Sequence, residues 1–127
     1  MQVELVAADR LVWSGEATMV IARTTEGDVG ILPNHAPMLS LLVDGIVDVT
    51  TAEGETWIAA VDAGFLSVAN NRISILSEHA EMSHDIDLEK ARADLERAEK
   101  AGEQTDEAEN AVELAWARAR IRAAEQA

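Results

Sequence analysis

Asp28 and His35 are the side chains that most invite a catalytic reading. They lie seven apart in GDVGILPNHAPML, Gly27 to Leu39, and a carboxylate beside an imidazole can work as a hydrolytic acid–base pair. Such a pair also needs a nucleophile and an oxyanion donor. No serine here sits in a strained nucleophile turn; Ser67 and Ser74 read as the polar half of strand alternation. The three histidines, His35, His79 and His84, do not follow a metal-ligand pattern, because His79 and His84 are five apart and miss the i, i+4 face that helical ligands use. The absence of cysteine removes disulfides, thiolate zinc sites and cysteine nucleophiles. No phosphate-binding glycine loop is present. With 24 acidic residues, some carboxylates always fall in pairs, so such pairs carry no signal. The sequence therefore reads as a non-enzyme with no metal and no obligate cofactor.

The elements that position these residues fall into two segments. Up to about Glu81, apolar and polar residues alternate and turn signals arrive every eight to twelve positions, the period of short strands. Val3, Leu5 and Ala7 alternate, as do Met19, Ile21 and Arg23. Ile46 and Val49 precede a turn at Glu53-Gly54, whose return strand holds Trp57, Ile58 and Val61. Phe65, Ser67 and Ala69 lead to Asn70-Asn71, a two-residue turn that tolerates positive φ, with Ile73 and Ile75 beyond. Pro33 and Pro37 fix φ and withdraw two backbone donors, which predicts a corner in which His35 is a structural or contact residue. The expected fold is β plus α, with residues 1–83 an antiparallel β-sandwich of eight to ten strands.

After Ser83 the period changes. Leu88, Ala91, Leu95 and Ala98 recur at spacings of three and four, one face of a helix, with Asp85 or Asp87 as its cap and Lys100 near its end. Gly102 breaks the pattern. A second helix is expected from Thr105 as N-cap, through Asp106 and Glu107, to about Glu125. Ala108, Val112, Ala115 and Ala119 form one stripe, with Ala111, Leu114 and Ile121 beside it. Residues 84–127 thus predict a helical hairpin. Its alanine-rich packing is weak, because a methyl-sized side chain buries far less surface than the about 1.5–3 kcal/mol worth of a Leu or Ile, so the hairpin can detach with both helices intact.

The formal net charge of −14 over 127 residues argues against nucleic-acid binding and against adsorption to an anionic bilayer. No apolar run approaches the roughly 20 residues of a membrane span, and MQVELVAADR lacks the flank of a signal peptide. Residues 1–82 carry −9 and residues 83–127 carry −5. Arg118, Arg120 and Arg122 cluster near the end of the second helix, where they can complement its dipole or face an acidic partner.

GDVGILPNHAPML resembles the signature of the epsilon subunit of bacterial F-type ATP synthase, whose mitochondrial counterpart is called delta. Trp13-Ser14-Gly15, Asp62 to Val68 and the stretch ISILSEHAE, Ile73 to Glu81, resemble further family segments in the same order. Ala63 stands where the family more often has glycine. The resemblance implies a non-catalytic central-stalk subunit. The sandwich would contact the gamma subunit and the ring of c subunits, through a loop that here comprises Glu26, Gly27, Asp28 and neighbouring His35. The hairpin would inhibit ATP hydrolysis by extending into the alpha/beta head, with Arg118, Arg120 and Arg122 facing an acidic segment of beta. Some members bind ATP as a regulatory ligand at the start of the first helix. The matching positions here are Glu81, Ile86, Asp87, Lys90, Ala91 and Arg97. Lys90 replaces the family's arginine with a point charge that cannot grip bidentately. The implied location is the cytoplasmic face of the bacterial plasma membrane, reached only indirectly through the c-ring.

Overall fold

In the computed structural model the chain is described over residues 1–101 and 107–126, with side chains omitted for 101–113. Nine strands precede two helices: β1 (Gln2–Ala7), β2 (Arg10–Thr24), β3 (Gly27–Ile31), β4 (Met38–Leu42), β5 (Gly45–Thr51), β6 (Thr56–Val61), β7 (Gly64–Ala69), β8 (Arg72–Ser77) and β9 (Ala80–Met82). A one-turn 3-10 helix, Ser83–Asp85, leads to α1 (Leu88–Ala101) and α2 (Glu107–Gln126). The expected sandwich of eight to ten strands and the two helices after it are both present. The expected break at Gly102, the N-cap at Thr105 and Asp106 of the first turn lie outside the described residues, as do the side chains of Ala108, Ala111 and Val112.

The strands follow the order β1-β8-β7-β4-β2-β5-β6-β9, with β3 beside β2 and β1 also paired to β2. Long β2 joins the layers, pairing with β1 up to Glu16 and with β5 from Ala17. Gly15 sits at this handover because the Trp13 indole lies across it: a Cβ there would meet Trp13 Cζ2 at 3.0 Å. All ladders are antiparallel except β1–β8, which runs parallel; this departs from the uniformly antiparallel expectation. Parallel pairing is open to these strands because they are far apart in sequence and need no tight turn between them.

Val3, Leu5, Val20, Ile31, Val47, Val61, Leu66, Ile73 and Ile75 fill the space between the layers, each at most 3% exposed. The phase of β2 is opposite to the sequence expectation. Val20, Ala22 and Thr24 point inward, while Met19 and Ile21 are half-buried and Arg23 is exposed. The reason is that β2, β5 and β6 have two apolar faces. Val47, Val49, Ala59 and Val61 face the core; Ile46, Ile58 and Ala60 face the hairpin, where they meet Trp116, Ala119 and Ala123. A second covered face erases the strict alternation that fixes phase.

In α1, Ala91 and Ala98 are buried and Leu88 and Leu95 half-buried, as the spacing predicts. Asp87 caps the helix, its Oδ1 accepting the Lys90 N–H at 3.2 Å. In α2 the packed face is Trp116, Ala119, Arg120 and Ala123, so the expected stripe holds at Ala119 but is rotated toward the end of the helix.

Candidate functional site

Glu26 sits in the two-residue turn between β2 and β3, closed by the Thr24–Gly27 pair. Buried Thr24 shapes that turn: its Oγ1 accepts the Glu26 N–H at 3.1 Å and donates to the Gly27 carbonyl at 2.9 Å. Gly27 has φ 115°, a backbone conformation that strains any side chain. Asp28 pairs with Arg23 at 3.0 Å across the same hairpin, and this exposed contact raises the Arg23 pKa, by hydrogen bonding first and by charge second.

His35 is elsewhere. β3 carries the chain away from Asp28 to a turn at the opposite end of the sandwich, where Pro33 and Asn34 occupy the central positions and the His35 N–H bonds the Leu32 carbonyl at 3.2 Å. Asn34 has φ 63°, suited to the position after proline in such a turn. Its N–H bonds Asn71 Oδ1 at 2.9 Å, which pins the proline corner to the β7–β8 turn. Asn70 and Asn71 both have positive φ, as the two-residue turn requires. His35 Nδ1 lies 2.7 Å from the neighbouring Ala36 carbonyl. The structure therefore separates the four residues that the resemblance groups in one loop: Glu26, Gly27 and Asp28 lie at one end of β3, His35 beyond the other. An Asp28–His35 hydrolytic pair is ruled out by the same separation.

The end that holds Glu26 is acidic, with Asp9, Asp44, Asp62 and Glu78 at its other turns. Asp62 is buried and knots two of these turns together. Ser77 Oγ lies 2.6 Å from its Oδ1, the His79 N–H donates to Oδ1 at 2.8 Å, and His79 Nδ1 lies 2.6 Å from Oδ2. Desolvation, and then the Asp62 charge, raise the pKa of Asp44. The His79 ring also lies 5.6 Å from that of Trp116, so the same knot touches α2. Gly64 follows closely: a Cβ there would fall 1.9 Å from the Leu76 carbonyl oxygen. Ala63 is exposed and has room for its methyl.

The outer face of β4, β7, β8 and β1 is apolar. Leu41 opposes Phe65, Phe65 opposes Leu76, Leu76 opposes Val6, and Val6 opposes Leu11 of β2. Leu41, Phe65, Leu76 and Leu11 are 51%, 50%, 47% and 58% exposed, and Leu39 beside them 72%. An open hollow of about 720 Å³ lies at the end of this row, lined by Thr25, Leu41, Asp44, Gly64 and Phe65. The sequence reading missed the row. Its signal was a strand with large apolar residues in both phases, such as Phe65-Leu66 or Ile75-Leu76.

The basic trio of α2 is divided. Arg118 and Arg122, one turn apart, are exposed; Arg120 points inward and its side chain is 10% exposed. Its Nε lies 2.9 Å from Glu81 Oε1 of β9, and its Nη1 donates to Asp94 Oδ2 of α1 at 3.2 Å. Asp94 also pairs with Arg97. The positions matched to nucleotide binding are thus partly gathered: Glu81 and Arg97 meet through Arg120 and Asp94, Ile86 packs under α2, Asp87 is the cap, Ala91 is buried, and Lys90 is exposed. Among the described residues no group of three or more His, Asp or Glu gathers as a metal site.

A β-sandwich with one open apolar face, followed by a helical pair packed on another face, defines a docking protein more than a catalyst. A model of the family described as ATP synthase, Delta/Epsilon chain, beta-sandwich domain matches residues 1–83. The ATP synthase epsilon chain of Streptomyces avermitilis is 52% identical over 114 residues, covering 90% of this chain and 92% of its own. That of Rhodococcus jostii is 48% identical, covering 100% and 98%. A chain in the Euglena gracilis mitochondrial ATP synthase OSCP/F1/c-ring structure matches with a TM-score of 0.81 and 26% identity, over 97% of this chain and 79% of that one. The chain belongs to the delta/epsilon family of ATP synthase chains, and its place there is as a non-catalytic subunit of the complex.

Proposed function

We propose that this chain is a rotor subunit that couples proton-driven c-ring rotation to ATP synthesis and restrains ATP hydrolysis through its hairpin. The observation that carries the reading is the apolar row from Leu41 to Leu11, because a soluble domain rarely leaves so many contiguous large apolar side chains bare without a partner. The gamma subunit is the partner assigned to this face. The acidic end with Glu26, Gly27 and Asp28 is assigned to the c-ring, which places the chain at the cytoplasmic face of the plasma membrane without touching lipid. His35 belongs to the opposite end and is left to gamma.

Arg118, Arg120 and Arg122 are assigned to the acidic segment of the beta subunit, reached when the hairpin extends into the alpha/beta head. Phe65→Glu tests the coupling reading: the complex purified from membranes should lose this chain, and full retention would sink the assignment of the apolar face. Removal of residues 84–127 tests inhibition, since ATP hydrolysis by the assembled complex should rise.

A second reading, a nucleotide-sensing hairpin with ATP as its ligand, draws support from the meeting of Glu81 and Arg97 beside the Asp87-capped start of α1. Titration calorimetry of the isolated chain with millimolar ATP checks it, and the absence of heat removes it.

A further inference from the structure

Arg120 is the feature that this reading leaves unexplained. It lies on the packed face of α2, four residues after Trp116 and three before Ala123, where the helical pattern calls for an apolar residue. Asp94 is its counterpart on α1, three residues after buried Ala91 and four before buried Ala98. A guanidinium or carboxylate withdrawn from water in this way is strongly unfavourable unless a partner compensates it. Here the compensation is by charge and comes from three elements, Glu81 of β9, Asp94 of α1 and Arg120 of α2, with Arg97 sharing Asp94. Nη1 of Arg120 is hydrogen-bonded to Asp94, while its buried Nε is close to Glu81 without a hydrogen bond. The four formal charges sum to zero.

We propose that the Glu81–Arg120–Asp94 cluster is a latch that holds the hairpin down on the sandwich without nucleotide, and that it keeps Arg120 from an acidic partner until it opens. The proposal rests on the hairpin being a movable inhibitory unit. The fully buried apolar contacts between α2 and the sandwich are alanines, Ala60, Ala119 and Ala123, rimmed by half-buried Ile46, Ile58 and Trp116, so they hold the helix in place non-directionally while the ion cluster adds the contact that fixes the folded state. Removing Asp94 or Glu81 leaves the buried Arg120 guanidinium short of a partner, and removing Arg120 leaves Glu81 facing α2 without its cation, so each change favours the lifted state. An incoming phosphate would find Arg97 and Arg120 already neutralised and would have to displace Asp94. The folded hairpin therefore presents two arginines outward, Arg118 and Arg122. The lifted one presents all three.

The chain has no cysteine, so a spin-label pair introduced by Glu55→Cys and Gln126→Cys, both exposed sites, reports the sandwich-to-α2 distance in the full chain. The unsubstituted latch should give one short distance without nucleotide, unchanged by millimolar Mg-ATP. Arg120→Gln and Asp94→Asn should each raise the ratio of long to short distances at least about tenfold, with the helical circular dichroism retained. Arg92→Gln, which breaks the exposed Arg92–Glu125 pair at 3.2 Å, should leave the ratio unchanged. Latch variants that keep the short distance, an equal response to Arg92→Gln, or a short distance that appears only with ATP would each overturn the proposal. Hydrolysis by the assembled complex separates the two readings. Opening of the hairpin with no change in hydrolysis leaves the latch standing and removes the inhibitory role.

Discussion

The sandwich and the hairpin pack against each other by different physics. Between the sheets, branched residues such as Ile31, Ile73, Ile75 and Val47 lose nearly all contact with water, and backbone ladders tie strands that are distant in sequence. Between α2 and the sheet, the fully buried apolar side chains are alanines, with Ile46, Ile58 and Trp116 half-buried around them, and the charged contact is the Arg120–Glu81 ion pair. Apolar burial is non-directional and adds up over area, whereas a buried ion cluster is all or nothing. Two parts held by different physics thus share one short chain.

Substitutions widen or narrow that contrast. The largest effect should come from Gly64→Ala, because the new methyl meets the Leu76 carbonyl, a backbone atom that cannot turn aside. A loss of more than about 3 kcal/mol is expected, read as a collapse of the thermal transition of the whole chain. Ile75→Ala, in the centre of the core, should destabilise by about 3–4 kcal/mol, again globally, with the midpoint in urea as the measure. Trp116→Ala should act on the hairpin alone. Its expected loss of about 2 kcal/mol belongs to α2, so hydrogen exchange should quicken there while β-strand amides keep their protection. A uniform rise in exchange would show that the two regions unfold as one.

Asp48 provides a smaller test on the hairpin-facing side of β5. Its Oδ1 is buried without a hydrogen-bond partner, and desolvation raises its pKa. A carboxyl whose folded pKa is raised binds more protons folded than unfolded. Stability is then lost as pH rises from the ordinary carboxylate range through the folded pKa. Asp48→Asn should therefore raise the melting temperature at pH 7, and the gain should vanish below about pH 4, where the carboxyl is protonated in both states. Least of all, Arg92→Gln should change stability by under about 0.5 kcal/mol, since both partners are more than half exposed.

Local features were legible in the sequence because their causes are local. Asn70-Asn71, the Pro33 corner, the Asp87 cap and the α1 stripe each depend on a few neighbouring residues. The inward phase of β2 is hidden in the sequence because half-buried Met19 and Ile21 on its outer face are as apolar as Val20 and Ala22 on its inner one. Asp28 and His35 look adjacent in a motif, yet a five-residue strand at about 3.3 Å per residue places them at opposite ends of the fold. Arg120 reads as a surface charge beside Arg118 and Arg122, although helical geometry turns it about half a revolution from both. The signal for the cluster was a charged residue on each of two otherwise apolar helix faces, and nothing in the sequence pairs residues 81, 94 and 120.

The bare row from Leu41 to Leu11 also governs the chain before it meets any partner. Each newly made copy carries an adhesive face that another copy could cover. What opposes such clumping is the net charge of −14, a mutual repulsion acting over a screening length of about 8 Å at physiological salt. The surplus of aspartate and glutamate, which carries no information about catalysis, thus opposes the self-association that the apolar row would favour.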